Sequence, residues 1–161
     1  MPTILNLRLD RILEAYEPIA DSDRTMDLAN QRVLALVLAA DSTEERNEEF
    51  LRAAGALNEW VIEHEGETPV HLINRWQIIH RATGLSPEHL NAIRAMKRQV
   101  GRRSATMAEE IELSCAILLG DAEEVDYLLG ELAEDKLATI RTWPIWNLRP
   151  TAPKPGNGDR R

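Results

Sequence analysis

The sequence predicts an all-α fold: a single-domain bundle of six or seven short helices ending in a C-terminal helical hairpin. Three observations carry that expectation. Apolar residues recur at helical spacing along most of the chain. Capping residues and prolines stand just ahead of several of these apolar stripes. The chain has 161 residues, 43% hydrophobic and 29% charged, which is the length and composition of one ordinary globular domain with enough chain to bury a core.

The elements follow in order. Leu5, Leu9, Ile12, Leu13 and Tyr16 share one helical face, although Leu5, Leu7 and Leu9 also alternate as a short strand would. Asp23 stands where it would cap a second helix over residues 26–40, in which residues 33–38 are apolar all round. A helix apolar on every side belongs at the centre of a core. Ser42-Thr43-Glu44-Glu45 reads as a capping box, followed by a stripe of Phe50, Ala54, Leu57 and Val61, with Gly66 as the stop. Thr68-Pro69 and Ser86-Pro87 each place a capping hydroxyl before a proline whose fixed φ suits a first helical position. Leu72, Trp76 and Ile79 line the first of these helices; Leu90, Ile93, Met96 and Val100 line the second, before Gly101 and Ser104 interrupt.

Ile111, Cys115 and Leu118 then line one arm of the hairpin, and Val125, Leu128, Leu129 and Leu132 the other. Gly120-Asp121 makes the turn, and Asp121 with Glu124 forms another capping box. A last short helix near Leu137 and Ile140 runs into Trp143-Pro144-Ile145-Trp146. The helical domain is expected to span residues 1–149. Residues 150–161, with Pro150, Pro153, Pro155, Gly156 and Gly158, are expected to form a disordered tail.

The string Ala116-Ile117-Leu118-Leu119-Gly120-Asp121-Ala122-Glu123-Glu124-Val125-Asp126-Tyr127-Leu128 resembles the turn between the two helices of a tetratricopeptide unit. The resemblance covers one unit, residues 109–133, and no second copy follows at the family's period of about 34 residues. It implies an isolated helical hairpin of the kind that family uses to bind partner peptides.

Charge and composition exclude several classes. There are 27 acidic residues against 19 basic, a formal net charge of −8, so a protein that coats nucleic acid or anionic membrane over its whole surface is not expected. One cysteine, Cys115, cannot build the disulfide framework of a small secreted domain. The longest apolar run, residues 33–40, falls far short of the roughly 20 residues needed to cross a bilayer, so no membrane role is expected. The first 25 residues, broken by Asp10, Glu14, Glu17 and Pro18, show no targeting pattern, and the expected location is the cytoplasm.

The charge layout is the most informative feature. Residues 71–103 carry Arg75, Arg81, Arg94, Lys97, Arg98, Arg102 and Arg103 against the single acid Glu88. Residues 104–135 hold ten acids and no base. On a continuous helix Arg94, Arg98 and Arg102 lie within about 80° of one another, away from the Leu90/Ile93/Met96 stripe, and form a basic ridge. Three readings follow from this ridge. It neutralises the protein's own acidic hairpin or sits in solvent, where exposed pairs are worth ~0–1 kcal/mol. Alternatively, it meets a charged protein partner or a second copy of the chain. In the third reading residues 94–103 contact nucleic-acid phosphate.

Signatures of chemistry are sparse. The sequence has no glycine-rich phosphate cradle, no Gly-x-Ser-x-Gly elbow and no His-Glu-x-x-His pair. His64, His71, His80 and His89 make no i,i+4 pair, and none has a glutamate three positions before it, so neither a metal nor a cofactor is expected. Cys115 and Trp76 both fall on apolar stripes and are read as core. Arg75-Trp76-Gln77-Ile78-Ile79-His80 resembles the Arg-x(4–6)-His signature of the all-helical HEPN ribonucleases, which would make Arg75 and His80 a pair acting on RNA phosphate and its 2′-hydroxyl. Five positions along a regular helix separate the two by ~140°, with His80 on the apolar side near Trp76. Trp143 and Trp146 flank a proline, and either fold back on the hairpin or dock a partner.

The preferred reading is a non-enzymatic helical interaction or regulatory module that uses Arg94, Lys97, Arg98, Arg102, Arg103, Trp143 and Trp146. The alternative is a small RNA-binding or RNA-cleaving helical protein.

Overall fold

A computed structural model describes residues 23–100 and 107–151, together with Arg11 and Glu14. Apart from Arg11 and Glu14, the expected helix through Leu5 to Tyr16 lies outside the described residues, as do the basic residues Arg102 and Arg103 and the tail from residue 152. Among the described residues the fold is all-α, with seven α-helices, one 3-10 turn and no strand. Backbone contacts divide the chain into two compact units at Asn91/Ala92, inside one helix.

The first unit is built from α1 (Asp23–Asp41), α2 (Asn47–Glu65), α3 (Pro69–Ala82) and the start of α4 (Pro87–Val100). Both α2 and α3 pack on α1. Met26, Ala29, Val33, Leu36 and Val37 of α1 form one core with Ala53, Ala54, Leu57, Trp60 and Val61 of α2 and Ile78 of α3. The helix expected to be buried all round is instead two-sided, since Leu28 and Leu38 remain 47% and 41% exposed.

Capping explains the helix starts, with one correction. Thr68 Oγ1 accepts from the His71 N–H at 3.3 Å, with Pro69 opening α3. Ser86 Oγ accepts from the His89 N–H at 3.2 Å, and His89 Nδ1 accepts from the Ser86 N–H at 3.1 Å. His89 thus takes the reciprocal place that glutamate or glutamine holds in a capping box. The Ser42-Thr43-Glu44-Glu45 string does not cap α2, which begins later, after Arg46, with no side-chain cap. Ser42 Oγ donates backwards to the Ala39 carbonyl at 2.9 Å, and Asn47 Nδ2 donates to the Ala40 carbonyl at 2.8 Å. The orphan carbonyls at the end of α1 claim these side chains first.

The second unit holds the rest of α4, then α5 (Ala108–Leu119), α6 (Ala122–Glu131), α7 (Glu134–Ile140) and a 3-10 turn (Pro144–Leu148). α5 and α6 form the hairpin. Gly120 closes α5 at φ +71°, a left-handed conformation that costs glycine little; its N–H reaches the Ile117 carbonyl, and that of Asp121 the Ala116 carbonyl. Asp121 Oδ1 then accepts from the Glu124 N–H at 3.2 Å to start α6. α5 is the most enclosed helix: Ile111, Leu113, Ser114, Cys115, Ala116, Ile117 and Leu118 are all buried. The 3-10 turn packs on α5. Pro144 and Ile145 are buried, while the Trp143 and Trp146 rings are only half-buried.

Candidate functional site

Three of the basic residues between 71 and 98 are committed to acids. Arg81, its side chain only 5% exposed, grips both oxygens of Asp41 at 2.7 and 2.9 Å. Its Nη1 also donates to the side-chain oxygen and the carbonyl of Gln77. Gln77 in turn donates to Asn74 at 3.1 Å, and Asn74 to Asn30 at 2.9 Å. A polar chain therefore runs along the packing of α1 and α3, with Asn74 and Gln77 buried. Arg75 binds Glu59 in bidentate fashion, both bonds at 2.7 Å, and lies 3.6 Å from Glu67. The hydrogen bond to Glu59 raises the Arg75 guanidinium above its ordinary range, outweighing desolvation. Lys97 pairs with Glu124 at the head of α6.

The histidines are mostly structural. His64 Nδ1 donates to the Trp60 carbonyl at 2.8 Å, with its ring 4.3 Å from the Trp60 ring. The buried His71 donates from Nε2 to Glu65 at 2.9 Å, and its carbonyl accepts from Asn58 at 3.1 Å. His89 belongs to the cap of α4. His80 is exposed in the last turn of α3, whereas Trp76 is buried one turn earlier. The expectation that His80 joins Trp76 on the apolar side is therefore corrected: the shared face runs past the end of the packing. Arg75 and His80 do not meet. Arg75 is held by glutamates of α2 and the turn after it, and His80 faces solvent.

Arg94 and Arg98 are exposed one turn apart on α4, over the buried stripe of Ile93, Met96 and Val100. Among the described residues Arg98 has no ion pair within 4.0 Å. These two arginines and Lys97 line an open groove of about 430 Å³ with Glu112 of α5, and with Asp121 and Glu124 at the start of α6. Cys115 is fully buried, and desolvation pushes its thiol from 9.0 up to about 12; the nearby Lys97 opposes that rise, while Glu112 and Glu124 add to it. A thiol so held is no nucleophile at neutral pH.

No family model, curated protein or solved structure matches the chain. Among the described residues no three histidine, cysteine or acidic side chains converge as metal ligands would, and no helix is long and apolar enough to cross a membrane.

Trp146, expected as a docking residue, has the Arg149 guanidinium 4.0 Å from its ring centroid and Arg141 at 5.9 Å. Its face is occupied by the protein's own cations, at distances where such contacts contribute about 0.5–1 kcal/mol at exposed positions. Sequence reasoning missed the Asn30–Asn74–Gln77–Arg81–Asp41 chain because its two outer links, Asn30–Asn74 and Arg81–Asp41, span 44 and 40 positions. One signal was available: Asn74 and Gln77 sit among apolar residues at core spacing.

Proposed function

We propose that the protein is a non-enzymatic interaction module that engages a protein partner through Arg94 and Arg98 on α4, beside its own acidic hairpin. The supporting observation is the partition of the basic residues. Arg75, Arg81 and Lys97 are neutralised internally, while Arg98 is presented to solvent without an ion pair among the described residues, one turn from the exposed Arg94. Charges displayed on a rigid, buried-backed helix set association rate and partner choice more than affinity. Cleavage of RNA by Arg75 and His80 has no comparable support, because Arg75 is already held by Glu59 and Glu67.

The test compares the tagged wild type with the Arg94→Glu/Arg98→Glu variant, each purified from host extract at low salt with and without nuclease. The expected result is a stoichiometric protein partner that survives nuclease, is lost with the variant, and is lost without a shift of more than about 2 °C in melting temperature. Retention of the partner by the variant would overturn the reading. Recovery of RNA instead, lost with the same variant, would transfer the surface to nucleic acid.

A further inference from the structure

The groove beside Arg94 and Arg98 has two walls of opposite sign. Arg94, Lys97 and Arg98 come from α4; Glu112, Asp121 and Glu124 come from the hairpin. Part of this charge is already satisfied. Lys97 is bound to Glu124, and one Asp121 oxygen caps α6. Arg98 on one wall and Glu112 on the other have no ion pair among the described residues. Both line the same open space of about 430 Å³.

That layout selects among partners by sign. A polyphosphate strand or a purely acidic peptide lying against Arg98 brings like charge toward Glu112 and Asp121. A purely basic segment meets the same penalty at Arg94 and Arg98. A helix with a carboxylate and a cation on adjacent turns satisfies both walls at once, since side chains four apart share a face. We infer that this groove recognises a partner helix of mixed charge, its carboxylate toward Arg98 and its cation toward Glu112. The inference rests on the interaction reading above and adds to it the acidic wall as a second determinant. Glu112 is the deciding residue: reversing its charge weakens a mixed-charge partner and strengthens a polyanion.

Three fluorescent probes test this on the full chain at about 20 mM and about 150 mM salt. They are a helical peptide with Glu and Lys four positions apart, an all-glutamate peptide of equal length, and a single-stranded oligouridylate. Each is titrated by anisotropy against wild type, Arg98→Glu and Glu112→Lys, with thermal unfolding confirming that the variants fold. The mixed-charge peptide is expected to bind tightest, and each substitution to weaken it about fivefold or more. Weakening by Arg98→Glu alone would overturn the two-walled groove and leave the basic interaction surface standing. So would tightest binding of the all-glutamate peptide, tightened further by Glu112→Lys. Tightest binding of the oligouridylate, or indifference of every probe to Arg98→Glu, would overturn both readings. Self-association of the chain alone, lost in both variants, would make a second copy the occupant and overturn a separate partner.

Discussion

In the first unit Arg81 lies 5% exposed with its guanidinium fork on both oxygens of Asp41; in the second, Lys97 meets Glu124 with 21% of its side chain in solvent. The two cations come from one basic stretch of sequence, yet they do different work. Arg81 ends a chain of hydrogen bonds through Gln77, Asn74 and Asn30, so its charge is satisfied by geometry that fixes how α1 and α3 pack. Such a group is costly to strand, because its partners keep their buried polar atoms. Lys97 is a point charge on a flexible stem at the edge of an open groove, where water can replace either partner. The two acids are about equally exposed, at 23% and 26%, so what separates the pairs is the burial of the cation and the hydrogen-bond chain that holds Arg81.

The sharpest way to break this comparison is to remove both cations in turn. Arg81→Ala removes a bidentate partner of the Asp41 carboxylate, whose side chain is 23% exposed, and a donor to the buried Gln77. The expected loss is about 3 kcal/mol in unfolding free energy. Lys97→Ala is expected to cost about 1 kcal/mol or less. Urea titrations monitored by tryptophan fluorescence give both values. Equal losses would mean that the two pairs are not distinguished by burial, and the division of roles would collapse.

Local signals in the chain were legible and distant ones were not. The hydroxyls of Thr68 and Ser86 and the carboxylate of Asp121 act on N–H groups three positions on, so their capping could be read directly. Ser42 carried the same chemical signal, but its hydroxyl turns back to α1, a choice set by which orphan group lies nearer in space. Arg81 finds Asp41 across 40 positions, Lys97 finds Glu124 across 27, and Arg75 finds Glu59 across 16. Counting charge along a segment cannot see such pairs, which is why the basic stretch looked more exposed than it is. Burial showed a similar limit. The run at residues 33–38 is apolar on every side yet leaves Leu38 exposed, while α5, with Glu109, Glu110 and Glu112 in its first half, is the more enclosed helix.

The two serine and threonine sites sharpen this point with a smaller effect. Thr68→Ala removes the acceptor for the backbone N–H of the buried His71 and is expected to cost about 1 kcal/mol. Ser42→Ala removes only an exposed bond to a carbonyl that water can reach, and a change within about 0.5 kcal/mol is expected. Thermal or urea unfolding of the two variants side by side measures the contrast. A larger loss at Ser42 would restore the capping-box role that the geometry denies it.

An effect confined to alkaline pH tests the enclosure of α5 from within. Burial holds the Cys115 thiol at about 12, against 9.0 when unperturbed, so the folded chain keeps its proton where the unfolded chain releases it. Below about pH 8 both states carry the proton and the thiol contributes almost nothing to pH dependence. Between 9.0 and about 12 the unfolded state binds fewer protons, and stability falls as pH rises. Lysines and tyrosines titrate in the same window, so the quantity to follow is the difference between wild type and Cys115→Ala, in which their contributions cancel. That difference should be flat up to about pH 8, then shift against the wild type by about 1 kcal/mol near pH 10. A flat difference throughout would mean that the thiol reaches solvent before the chain unfolds, and that α5 opens more readily than its buried contacts imply.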